Sequence, residues 1–180
     1  MSEFGKRTSK DTVRLERLLP GPVERVWAYL VESEKRGKWL AKGELEPRVG
    51  GRVQLQFLHS SLTPVQEPIP ERFKMMECGV TGEETVTVFE PPTKLAMTWG
   101  NGTSEVSFEL TPRGEQVLLV ITHTRLGEQE MILVASGWHT HAGILEANLE
   151  ERTPGAFWSV FLEIEAEYTR LFGMQEGESK

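Results

Sequence analysis

The sequence predicts an α+β protein in which helices lie on one face of an antiparallel sheet of about six to seven strands. Three observations predict it. An alternating strand and two short helices open the chain. A run of strands joined by tight turns fills the middle, from Val80 to Thr124. Two helical stripes close it. Strands grouped between helices, rather than alternating with them, mark this class.

Each element follows from its own pattern. Residues 1–12 are polar and read as a flexible tail. In "TVRLERLL" Val13, Leu15 and Leu18 alternate with Arg14, Glu16 and Arg17, which is a strand. "PGP" breaks it, and Pro22 suits the first position of a helix whose apolar stripe runs Val23, Val26 or Trp27, Leu30. Ser33 can cap a second short helix through "SEKRGKWL". Extended runs flank "VGG", a hairpin signal, and Val53, Leu55, Phe57 and His59 then share one face. The stretch from Ser60 to Gly79 carries three prolines and no period, so it reads as a long loop.

From Val80 onward the chain is β. "ETVTVF", "KLAMTW", "SEVSFEL" and "QVLLVITHTRL" are separated by turns, the spacing of a meander. The last of these is apolar on both faces, which predicts a covered or central strand. Trp138, Ala142, Leu145 and Leu149 form a helical stripe in a helix starting near Gly137. After "RTPG", residues Phe157, Phe161, Ile164, Tyr168 and Leu171 form another. Residues 13–172 read as one domain, and 173–180 as a flexible C-terminal tail.

Composition narrows the function classes. The chain has 180 residues, 38% hydrophobic and 26% charged, which suits one folded core. Its net charge of −7 argues against nucleic acid or an anionic membrane surface as the main partner. Cys78 is the lone cysteine, so no internal disulfide can form and a reducing compartment is expected. No apolar run reaches the roughly 20 residues of a membrane helix, and the start lacks a secretory leader. A cytoplasmic location is the expectation.

No motif marks a reaction. His139 and His141 lie two apart, so on a helix they point about 200° apart and cannot share one ion. His59 and His123 sit on other segments. No metal, no cofactor and no catalytic residue is expected. Cys78 reads as an ordinary thiol, Glu83, Glu84 and Glu105 as solvated strand residues, and His139 as facing water, while His141 edges the apolar stripe. The large apolar groups say more. Trp39, Phe57, Phe73, Met75, Met76, Met97, Trp99, Trp138 and Phe157 are spread over elements that should face one another. They suit either ordinary core or a pocket lined by flat and flexible groups.

"LPGPVERVWAYLVESEKRGKWL", "GGRVQLQF", "VFEPPTKLAMTWG", "SEVSFELTPRGEQVLLVITHT" and "SGWHTHAGILEANL" together resemble the SRPBCC (START-like) superfamily, and within it the group of activator-of-Hsp90-ATPase homologues (AHSA1-like). The resemblance covers about Val13 to Phe172. It implies a helix-grip fold: a curved antiparallel sheet wrapped around a long C-terminal helix, with two short helices after the first strand. It also implies a cavity in which relatives hold lipids, hormones or polyketides, some of them as cyclases or hydrolases. The loop from Ser60 to Gly79 is longer than a simple hairpin of this group.

The leading expectation is a binder of a hydrophobic or aromatic small molecule. Its site would use Trp39, Phe57, Phe73, Met76, Met97, Trp99 and Trp138 as apolar wall, with His59, His123 and His141 orienting the ligand. A cavity-based cyclase or hydrolase and an Hsp90-type chaperone partner are the alternatives. Phe73, Met75 and Met76 need burial, so the long loop is expected to close over the pocket as a lid, or else to form a homodimer contact.

Overall fold

A computed structural model describes residues 4–177 of the chain, with side chains up to residue 173. In chain order the elements are β1 (Lys6–Ser9), β2 (Thr12–Pro20), α1 (Val23–Val31), α2 (Ser33–Arg36), β3 (Arg52–Phe57), β4 (Val80–Glu90), β5 (Lys94–Trp99), β6 (Ser104–Arg113), β7 (Gln116–Thr124), α3 (Met131–Leu149) and α4 (Phe157–Gly177). The strands form one seven-stranded sheet in the order β1-β2-β7-β6-β5-β4-β3. Every pairing is antiparallel. This is the helix-grip arrangement.

β7 lies between β2 and β6, which explains why its sequence is apolar on both faces. α3 has no polar side. Met131, Ala135, Trp138, His139, Ala142, Leu145 and Leu149 are all buried around its circumference. A helix apolar all round must be covered all round. The sheet covers one side through Leu15, Phe108 and Leu119, and α4 covers the other. α4 is amphipathic, with Phe157, Phe161, Tyr168 and Phe172 facing inward.

Several details depart from the sequence reading. Residues 6–9, assigned there to the N-terminal tail, form β1, and the Gly5 N–H donates to the Tyr168 hydroxyl at 2.7 Å. Only an edge strand with polar side chains was available there, which left no alternation to read. In β2 the inward residues are Val13, Leu15, Arg17 and Leu19, whereas Leu18 is 48% exposed. Strict alternation outranks hydropathy: the pleat turns Arg17 inward because its neighbours in phase are apolar. Ser33 caps nothing at α2; its hydroxyl accepts from the Gly43 N–H at 2.9 Å. α3 begins six residues before Gly137, at Met131. α4 continues to Gly177, through part of the segment read as a C-terminal tail.

The loop after β3 contains two short 3-10 turns, His59–Ser61 and Glu71–Met76, and lies against α4. The Glu67 carboxylate accepts from the Ser159 N–H at 2.7 Å and from its hydroxyl at 2.5 Å, satisfying the first turn of α4. Arg72 makes a two-pronged pair with Glu165 of α4. Phe73 stacks on Trp158 with ring centres 4.9 Å apart. Met75, expected to be buried, is 85% exposed, because the 3-10 turn points successive side chains to different sides and Phe73 and Met76 take the inner ones.

Candidate functional site

A hollow of about 400 Å³ remains between the sheet and α3, closed on a third side by the loop and α4. Its floor is Leu55 and Phe57 of β3, with Trp99 at the end of β5. α3 contributes Leu133, Val134, Trp138 and His141. The loop adds His59, Phe73 and Met76, and α4 adds Phe157, Trp158 and Phe161. The rings meet edge to face or tilted: Trp99 to Trp138 at 5.0 Å, Phe57 to Trp99 at 5.8 Å, His59 to Phe157 at 4.6 Å. Large rigid rings cannot fill a concave space between curved layers as flexible chains can, so space is left.

Seven of the ten residues singled out from the sequence therefore share one wall: Phe57, His59, Phe73, Met76, Trp99, Trp138 and His141. Three do not. Trp39 is fully buried in the core, its indole N–H held by the Tyr29 carbonyl at 2.8 Å. Met97 is equally enclosed, on the stretch of β5 where the sheet is covered. His123 is fully buried behind Trp138.

The hydrogen bonds of His123 fix its tautomer. The Trp138 indole can only donate, and it reaches His123 Nδ1 at 2.9 Å. Nδ1 is therefore unprotonated, and Nε2–H donates to the Ser104 hydroxyl at 2.8 Å. Ser104 in turn donates to the Trp99 carbonyl at 3.3 Å. This chain ties together the two strand ends and the helix that carry Trp99 and Trp138. Burial pushes His123 down to about 4, so it stays neutral and the chain keeps one direction.

His141 is also fixed. Its Nδ1 lies 2.6 Å from the Trp39 carbonyl, an acceptor only, so Nδ1 carries the proton and Nε2 is a lone-pair acceptor. His59 stands beside it, ring centres 5.7 Å apart, and its buried Nδ1 has no hydrogen-bond partner among the described residues. Burial lowers His59 to about 4; burial and the neighbouring His59 lower His141 to about 3. His139 was expected to face water, but it is buried between α3 and α4, its Nδ1 3.1 Å from the Tyr168 hydroxyl. That hydroxyl also accepts from the Gly5 N–H.

Glu84, read as solvated, is buried at the rim of the hollow. One oxygen accepts from the Thr98 hydroxyl at 2.6 Å and the other from the Asn101 N–H at 2.9 Å. Its position two before the buried Val86 on one strand was the available signal. Leu133 was missed because the stripe was started too late; it lies four residues before Gly137 and eight before His141, on their face of the helix. No group of His, Cys, Asp and Glu among the described residues could hold a metal ion. No helix among them is long and apolar enough to cross a membrane.

Residues 20–150 match the family described as "Activator of Hsp90 ATPase homolog 1-like protein". The chain belongs to that family. Among solved structures, the protein encoded by gene BPP1335 of Bordetella parapertussis is 42% identical, with a TM-score of 0.78 over 92% of this chain and 88% of that one. CalU16 from Micromonospora echinospora shares the fold at 20% identity, with a TM-score of 0.67 over 89% of this chain and 87% of that one. DynU16, from the dynemicin biosynthetic locus, does so at 20% identity and a TM-score of 0.60, over 80% of this chain and 49% of that one. No functionally curated protein matches. The matched residues include Phe57, His59, Trp99 and His141 but end before α4. The part of the wall built by Phe157, Trp158 and Phe161 thus lies outside the family match.

Proposed function

We propose that this protein binds an apolar, ring-containing small molecule in the hollow between the sheet and α3. One observation carries the reading: an unfilled space of about 400 Å³ walled by Phe57, Trp99, Trp138, Phe157 and Trp158. That volume lies within the range of small-molecule sites, and a dry apolar wall gains most by covering apolar surface. The loop from Ser60 to Gly79 acts as the lid. Phe73 and Met76 face the hollow, and Glu67 and Arg72 fasten the loop to α4 through exposed contacts that are cheap to break.

The test is titration with N-phenyl-1-naphthylamine, a neutral apolar fluorophore. Saturable binding with a micromolar dissociation constant is expected, and Trp99→Ala should weaken it about tenfold by removing one ring face. Absence of saturation across neutral aromatic and lipid probes would remove the proposal. A chaperone-partner role is the second reading, favoured by the family match alone. It predicts a change in Hsp90 ATPase rate on adding this protein, and an unchanged rate at high excess dismisses it.

A further inference from the structure

We propose that the molecule held in this hollow carries a hydroxyl group, which donates to His141 Nε2 and accepts from His59. The inference rests on the binding reading above and adds its polar recognition.

It follows from two hydrogen-bond inventories. The Trp39 carbonyl takes the Nδ1 proton of His141, so in the neutral ring the nitrogen left to the hollow is an acceptor. His59 is 8% exposed, and its Nδ1 is buried without a partner among the described residues. A buried imidazole left unpaired is costly, so an occupant that lets the ring pair is favoured. As a neutral imidazole held by no other group, His59 can present its proton on either nitrogen. The two rings stand side by side on the wall, 5.7 Å apart at their centres. One oxygen at about 2.8 Å from a nitrogen of each ring bridges such a pair.

The pair therefore has a fixed acceptor and an adaptable donor. A hydroxyl matches both. An ether or a ketone can satisfy His59 but sets its oxygen against the lone pair of His141. A plain hydrocarbon leaves both imidazoles unpaired. Phe157 packs on both rings, at 4.6 Å and 5.1 Å, so the polar spot sits within aromatic surroundings and the rest of the molecule is apolar. Glu84 lies at the rim, where each of its oxygens already accepts one hydrogen bond, from Thr98 and from Asn101.

Competition against N-phenyl-1-naphthylamine with naphthalene, 2-naphthol and 2-methoxynaphthalene tests this on the full chain. The methyl ether is the more hydrophobic of the two substituted probes, so burial alone would favour it. The expected result is the opposite: 2-naphthol displaces the fluorophore at a concentration about tenfold lower than 2-methoxynaphthalene. His59→Phe should abolish that preference, read as the ratio of the two probes' displacing concentrations on the variant itself. His141→Phe should do the same if it folds, as its melting curve will show; the wild-type series and His59→Phe decide the matter without it. In the wild type, ¹⁵N NMR should show the His141 Nε2 resonance moving upfield with 2-naphthol and staying in place with naphthalene. Equal or reversed affinities for naphthol and its ether, with the fluorophore still bound, overturn the hydroxyl proposal and leave the binding reading standing. Failure of every probe to bind overturns both.

Discussion

Arg36 gathers the carbonyls of Leu30, Val31, Ala41 and Gly43 onto one guanidinium that is 1% exposed. Burial lowers it to about 10, so it stays charged at neutral pH. No other side chain supplies donors in that fan, and the carbonyls belong to the crossing from α1 through α2 to β3. Gly43 permits the crossing, since a Cβ there would lie 2.2 Å from the Gln54 carbonyl oxygen. Arg36→Met should cost roughly 3 kcal/mol or more, because several buried carbonyls lose partners at once. Urea unfolding with an unchanged slope would measure this, and a loss under about 1 kcal/mol would mean water replaces the guanidinium. His123 acts in the same way behind the hollow. His123→Phe leaves the Trp138 N–H unpaired, and about 1–3 kcal/mol of stability should go with it. The Trp138 emission should shift as well, and an unchanged spectrum would deny that His123 orients the indole.

At the scale of elements, the loop and α4 hold one another. Glu67 is the only loop side chain with bonds to the first turn of α4 among those described, and a carboxylate there also meets the positive end of the helix. Glu67→Ala should cost about 1 kcal/mol and speed hydrogen exchange at the Ser159 amide. Arg72→Ala should behave differently. Its side chain is 50% exposed, so global stability should change by less than about 1 kcal/mol. A bound fluorophore should nevertheless leave faster, as measured by stopped-flow displacement. An unchanged rate would show that the loop does not gate the hollow. α3 is the contrasting element: packed between the sheet and α4, it contributes stability through packing and cannot move without opening the core.

At the scale of the molecule, the four histidines are all buried. Burial lowers His59 and His123 to about 4, and His139 and His141 to about 3. In the unfolded chain they titrate near 6.5. Between these values the unfolded state binds more protons than the folded one, so stability rises with pH there and is lost as pH falls below about 6.5. Near pH 5 unfolding should take up close to one proton per histidine, each worth about 1.4 kcal/mol per pH unit. The pH dependence of urea unfolding between about pH 4 and 7 checks this, and a flat profile would require the histidines to be solvated.

The strands, the turns and the two closing helices were legible because their signals are local: alternation in β6, a four-and-seven stripe in α3, glycines at turns. The wall of the hollow was legible in part for the same reason, since Trp99 and Phe57 end strands that must converge. The burial of His139, Arg17 and Glu84 was not, because a polar residue looks solvated until its partner arrives from another element. Tyr168 lies 29 residues from His139, and Thr98 lies 14 from Glu84. Trp39, Met97 and Trp99 look alike as letters, yet one wall and two pieces of core come of them. Periodicity and chemistry by themselves determined the run of strands between helices and the apolar character of the interior, and the resemblance of the quoted motifs pointed to the family. Which bulky groups interlock and which leave a gap was decided only by the curvature of the sheet around α3, because packing depends on distances between segments that no local pattern records.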